Sequence, residues 1–139
     1  MNKDDVLKKS ESTLVAKKIF IENMSFQRKE VTNGNLRLSQ SSIGKSVDLI
    51  GKNEYKCSLA LKLSDEEETA ILEIVVSGIF EFGTELKDEQ KQIIITKNTL
   101  AILFPYLRAQ VTLMTSQPDV EPVVLPAINI NSLLQNFED

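Results

Sequence analysis

Ile102-Leu103-Phe104-Pro105-Tyr106-Leu107-Arg108-Ala109, continued after a polar segment by Val124-Leu125-Pro126-Ala127-Ile128-Asn129, governs how this chain is put together. At about 100° per residue, Leu100, Leu103, Phe104, Leu107, Val111 and Met114 line one stripe of a helix. Ile102, Tyr106, Ala109 and Leu113 line a second, roughly 140° away. A surface helix needs one apolar stripe to reach its own core. The second asks for another cover, a neighbouring subunit or an apolar ligand.

Working outward from that helix, the preceding residues read as strands. Tyr55, Cys57, Leu59, Leu61 and Leu63 alternate with Lys56, Ser58, Ala60 and Lys62, the period of a half-buried strand over Glu54 to Ser64. After the acidic turn Asp65-Glu66-Glu67, the segment Thr69 to Phe82 puts Ala70, Leu72, Ile74, Val76, Gly78 and Phe80 on one face. Ile71, Glu73, Val75, Ser77 and Ile79 fall on the other, so this second face is not simply polar. An antiparallel sheet covered by a helix on one side normally leaves the other side wet.

Earlier in the chain, Val15 to Phe26 carries broken alternation, which predicts a strand with a bulge or bend. A weaker strand is predicted over Leu36 to Ile50, after the turn Asn33-Gly34-Asn35 and before a hairpin at Gly51-Lys52-Asn53. Residues 1–13 form a charged arm, expected to be unstructured or a short helix, and residues 14–139 one domain. Glu85 to Gln92 reads as a polar connector, with the main helix starting near Lys97 to Thr99 and capped by Asn98 or Thr99. Pro105 must then restart or kink that helix. A short final helix is predicted over Asn131 to Phe137, docking through Leu133, Leu134 and Phe137.

Composition excludes several function classes. The chain has 139 residues, a net charge of -4, one cysteine and no histidine. Lysine and arginine are mixed among the acids, so no positive field favours nucleic acid. Triads that need an imidazole are ruled out. Gly44-Lys45-Ser46 resembles the end of a phosphate-binding loop, yet Ser39 stands where the first glycine is required. Asp65 to Glu68 is an acid run of the kind usually found in a solvated turn, and no metal or other cofactor is expected. Cys57 lies on an apolar strand face and reads as a small core side chain. The N-terminus leads into no signal-peptide core and no apolar run is long enough to span a membrane. These features predict a cytoplasmic protein without catalytic residues and without direct membrane insertion.

The residues resemble the SecB family of bacterial export chaperones. The resemblance rests on Glu68-Thr69-Ala70 entering a strand that ends Gly78-Ile79-Phe80, then on Ile102-Leu103-Phe104-Pro105-Tyr106 followed by Arg108. Leu125-Pro126, Ile128-Asn129 and Leu133-Leu134 continue it, and Lys18-Ile19 to Ile21 with Met24-Ser25-Phe26 match the first strand. It implies an α+β subunit: a four-stranded antiparallel sheet, a long helix packed on one face and a short final helix. It also implies a homotetramer, a dimer of dimers in which the helix lies between opposing sheets, and an ATP-independent holdase for unfolded preproteins or other non-native clients.

The site residues follow from the residue pattern and the resemblance together. Leu72, Ile74, Val76, Ile102, Tyr106, Ala109 and Leu113 are the candidate oligomer interface, and Phe80, Phe82 and Phe104 the candidate client contacts. Glu73, with Ile71 and Val75, is the candidate partner site, since the resemblance implies that the ATPase SecA docks on acids of the outer sheet face. Asn23 and Gln27 stand where acids are expected, and the acidic tail is not found after Phe137-Glu138-Asp139, which weakens SecA docking. Two alternatives stay open: a SecB-like chaperone dedicated to an antitoxin of a toxin-antitoxin system, and a non-enzymatic adaptor for one partner.

Overall fold

The alternating strands form one antiparallel sheet because each has an apolar face that must be buried. The computed structural model describes residues 14–83 and 86–126. The strands are β1 (Leu14–Arg28), β2 (Gln40–Gly51), β3 (Glu54–Ser64) and β4 (Ala70–Phe82), followed by one helix, α1 (Asp88–Thr115). They lie in the order β1-β4-β3-β2, so β1 and β2 are the two edges. The predicted arm over residues 1–13 and the predicted final helix lie outside the described residues.

Register fixes which side chains share a face. Leu59 pairs with Val76, Leu61 with Ile74 and Leu63 with Leu72. These six side chains form the floor of the core, and each is buried. β1 is irregular, as its broken alternation predicts: shifts fall between Ala16 and Lys18 and between Ile21 and Asn23. The hairpin at Gly51-Lys52-Asn53 is present, with Asn53 at φ 57°. The acidic turn after β3 closes on itself, since the Asp65 carboxylate accepts from Thr69 Oγ1 and from Ala70 N.

The second strand begins later than predicted. Leu36 and Leu38 are buried, but Leu36 is joined by a parallel bridge to Val120 instead of to β3. β3 has already ended at Ser64, opposite Gln40, so the backbone of Leu36 finds its partners beyond the helix.

The helix begins about three turns earlier than predicted, at Asp88. Lys87 N donates to Gln90 Oε1 at 3.2 Å, and Asp88 and Glu89 sit in the first turn, where negative charge complements the helix dipole. Thr99, expected as a cap, is buried in mid-helix and donates its hydroxyl to the Ile95 carbonyl. Ile94 and Ile95 are also buried against the sheet, and their burial outweighs the weak helix propensity of β-branched residues. Pro105 does not break the helix. Ala101 and Pro105 are both exposed, so the carbonyl that proline cannot reach turns to water.

At ~1.5 Å per residue α1 is ~42 Å long, close to the ~36–43 Å of β3 and β4. It lies chiefly over those two strands. Gly78 makes the close approach possible: a Cβ there would meet the Phe80 ring at 2.6 Å and Leu103 at 3.3 Å. Phe82 closes one end of the core with an edge-on contact to Tyr55, centroids 5.8 Å apart.

Candidate functional site

The helix divides as its two stripes require. Leu100, Leu103, Phe104, Leu107 and Val111 are buried against the sheet, while Tyr106 is 49% and Leu113 64% exposed. Ala109 is exposed and Ile102 half-buried beside them. Four of the seven candidate interface residues therefore share one accessible face. The other three do not: Leu72, Ile74 and Val76 have no exposed surface, because α1 of the same subunit covers them. The candidate client contacts Phe80, Phe82 and Phe104 are likewise core residues, at most 5% exposed. Sequence periodicity assigns a strand residue to a face; it cannot tell whether its own helix or another chain covers that face.

Accessible apolar surface lies instead on the edge strands, which the pattern of the sequence did not single out. Ile21 and Met24 of β1 pair with Val76 and Ile74, which puts them on the helix side of the sheet. Both remain exposed because α1 lies over β4 and β3 and barely reaches β1. Val47 and Leu49 of β2 pair with Cys57 and Tyr55 on that same side and are also exposed. The signal was present in Val47 and Leu49, two positions apart on an edge strand, but it needs the strand order to be read.

Near the C-terminal half of α1, Pro105, Arg108, Ala109, Thr112 and Val124 line an open groove of about 470 Å³. Arg108 Nε donates to the Leu125 carbonyl at 2.6 Å, and the Thr115 hydroxyl accepts from Val123 N at 2.9 Å. These bonds lay the chain after α1 alongside the helix, with Val124 left 65% exposed.

The outer sheet face mixes half-buried Ile71, Val75 and Ile79 with paired charges. Both bulges of β1 turn a charged side chain onto it. Lys17 reaches Glu54 at 3.2 Å and Glu81 at 3.5 Å, and its pKa is raised chiefly by the Glu54 hydrogen bond. Glu22 accepts from Lys56 Nζ at 2.5 Å and from the buried Ser77 hydroxyl at 2.8 Å. The Lys56 bond and then the Ser77 bond hold the Glu22 carboxyl below the ordinary glutamate value. Ser58 completes the chain of polar contacts, 2.8 Å from Ser77.

Glu73 is exposed on this face, between half-buried Ile71 and Val75. Lys62, its cross-strand neighbour, pairs with Glu68 instead, at 3.5 Å. The three candidate partner residues thus lie together on the side opposite the helix.

Cys57 is buried, and burial pushes its thiol up to about 11, the state of an inert core sulfur. Among the described residues no three or more acids, cysteines or histidines gather as a metal site, and no helix is long and apolar enough to cross a membrane.

A four-stranded antiparallel sheet under one long helix is what the resemblance implied; its order, β1-β4-β3-β2, comes from the structure. The model of the family described as Preprotein translocase subunit SecB matches residues 8–138. The chain belongs to the SecB family. The protein-export protein SecB of Orientia tsutsugamushi strain Ikeda is 23% identical over 139 residues, spanning 94% of this chain and 84% of that protein. An uncharacterized protein of Methanocaldococcus jannaschii is 38% identical over 68 residues, 49% of this chain and 43% of its own length. Among solved structures, the SecB-like chaperone Rv1957 of Mycobacterium tuberculosis, in complex with a ChAD peptide from the HigA1 antitoxin, superposes with a TM-score of 0.70 at 12% identity. The match covers 91% of this chain and 96% of that one. At that identity the likeness shows the fold. SecB-family membership together with this fold supports a chaperone role in a family that is in general non-enzymatic.

Proposed function

We propose that this SecB-family protein is an ATP-independent holdase that binds non-native polypeptides and keeps them from folding or aggregating. The observation that carries the reading is the apolar surface left open around α1: Ile21 and Met24 at one sheet edge, Val47 and Leu49 at the other, and Tyr106, Leu113 and Val124 along the helix. A surface that binds an unfolded chain and ignores the folded one shifts the equilibrium toward the unfolded form by mass action. Such binding needs no nucleotide.

Part of that surface serves self-association in this reading. Ile102, Tyr106, Ala109 and Leu113 would join subunits into a homotetramer, leaving the strips on the edge strands for client. Glu73, with Ile71 and Val75, would meet a protein partner on the outer face, SecA in the export reading. Clients would then be unfolded preproteins held in the cytoplasm. A second reading, a chaperone dedicated to an antitoxin, is favoured by the antitoxin peptide bound to the M. tuberculosis chaperone of the same fold. A single-partner adaptor is the third.

Aggregation of a slow-folding, chemically unfolded protein, followed by light scattering without nucleotide, tests the reading. Suppression at near-stoichiometric chaperone is expected, with no binding of the same protein once folded. Failure against every unfolded client would leave the adaptor. Suppression confined to a cognate antitoxin would favour the dedicated chaperone.

A further inference from the structure

Apolar parity along β1 changes twice. Leu14 and Ala16 pair with Phe82 and Phe80, Ile19 and Ile21 with Gly78 and Val76, and Met24 and Phe26 with Ile74 and Leu72. All of these lie on the helix side, yet their numbers run even, odd, even. The bulges at Lys17 and Glu22 make the two changes, since each leaves one residue out of the ladder.

A bulge-free pairing is the competitor. Carried back from Asn23–Val75 without a break, the register would put Glu22 opposite Val76, Ile21 opposite Ser77, Phe20 opposite Gly78 and Ile19 opposite Ile79. Such a slide turns Glu22, Phe20 and Lys18 to the helix side and Ile19 and Ile21 to the outer face, because one residue of slip exchanges the faces. Burial separates the two pairings little. The isoleucines leave the helix side as Phe20 enters it, at an edge where Ile21 is already 38% exposed and α1 barely reaches. Lys17 does not discriminate either: the slide leaves it on the outer face, opposite Glu81, which it already meets at 3.5 Å.

We propose that Glu22 is the register pin of β1: its contacts with Lys56 and Ser77 select the bulged pairing and so keep Ile19 and Ile21 on the helix side. The bulge at residue 22 is what lets that carboxylate face outward. There it accepts from Lys56 Nζ at 2.5 Å and from the Ser77 hydroxyl at 2.8 Å, and Ser77 has no exposed surface. Lys56 Nζ also lies 6.0 Å from the Phe20 ring centroid, a cation–π contact. In the slid pairing Glu22 and Phe20 would both lie on the opposite face from Lys56, and the buried Ser77 hydroxyl would keep Ser58, 2.8 Å away. A polar contact that one register satisfies and another breaks is a well-attested way to fix register. The pin thus decides which face of the sheet edge carries the exposed Ile21.

Disulfide trapping in the full chain reads the register. Directly opposed residues of an antiparallel pair are close enough to bridge, so Lys18→Cys/Ile79→Cys reports the bulged pairing and Ile19→Cys/Ile79→Cys the slid one. Peptide mapping separates these bridges from any that involve the buried Cys57. Adding Glu22→Ala should speed closure of the Ile19→Cys/Ile79→Cys bridge by about tenfold, the loss expected of a charge-assisted bond together with a bond to a buried hydroxyl. Lys17→Met should leave that rate unchanged. An unaltered rate with Glu22→Ala, or an equal acceleration by Lys17→Met, overturns the pin. Should Glu22→Ala fail to fold, Glu22→Gln takes its place, removing the charge at nearly the same size; about a threefold acceleration is then expected, and an unchanged rate again overturns the assignment.

Discussion

Glu22 of β1 accepts a hydrogen bond from Lys56 of β3 at 2.5 Å, across the whole width of β4. The bulge between Ile21 and Asn23 makes this reach possible, because an extra residue re-aims the side chain that follows. The second Glu22 oxygen meets Ser77, a hydroxyl with no exposed surface. Three strands are thereby tied on a face where the helix cannot help.

The depressed Glu22 pKa carries a signed consequence. Its stabilising share is present while the carboxylate is ionised in both states and is lost as pH falls below the ordinary glutamate value of 4.5 toward the lower folded value. Glu22→Gln should therefore lose less stability than the wild type between about pH 7 and about pH 3. Urea midpoints at the two pH values check this; parallel losses in both proteins would remove Glu22 from the account.

Gly78 and Gly44 make opposite predictions from the same substitution. A methyl at Gly78 collides with the Phe80 ring under the helix, whereas nothing lies within 4 Å of the corresponding position at Gly44. Gly78→Ala should cost about 1–3 kcal/mol, and Gly44→Ala should change stability by no more than about 0.5 kcal/mol. Chemical denaturation of the two variants side by side is the measurement.

Leu113 tests the second helix stripe. It is 64% exposed in the subunit and remote from the buried stripe on Leu107 and Val111. If the stripe joins subunits, Leu113→Asp should convert a dimer or tetramer to a smaller species at unchanged secondary structure, since a charge buried in an interface is unpaired there. Light scattering with circular dichroism decides it; a monomeric wild type at micromolar concentration would refute the interface.

Glu73 tests the outer face. With Asn23 and Gln27 neutral and Glu22 already paired to Lys56, any SecA affinity should be weak and salt-sensitive, because an exposed charge pair contributes only about 0.2–1 kcal/mol. Glu73→Lys should reduce it and leave client aggregation assays unchanged. Tight binding indifferent to salt and to this reversal would place the docking surface elsewhere.

Local pattern carried much of the architecture in the sequence itself. The alternation from Tyr55 to Leu63 and from Ala70 to Phe80 assigned each residue of β3 and β4 to a face, and the spacing from Leu100 to Val111 assigned the buried side of α1. These are one-dimensional periods, set by how a backbone turns its side chains. Glu73, Ile71 and Val75 were placed on a common face for the same reason. The Leu-Phe-Pro-Tyr segment supplied the family.

Cover and reach belonged to the tertiary structure. Leu72, Ile74, Val76, Phe80, Phe82 and Phe104 are buried where helix and sheet of one subunit meet, while Ile21, Met24, Val47 and Leu49 stay open on edge strands that the helix barely reaches. Strand order, absent from any local period, separates these two sets. The early start of α1 was hidden because Ile94 and Ile95 become helical by packing on the sheet, not by propensity. The Glu22–Lys56 pair and the Leu36–Val120 bridge join residues far apart in sequence. Only the assembled sheet and helix bring such partners within bonding distance.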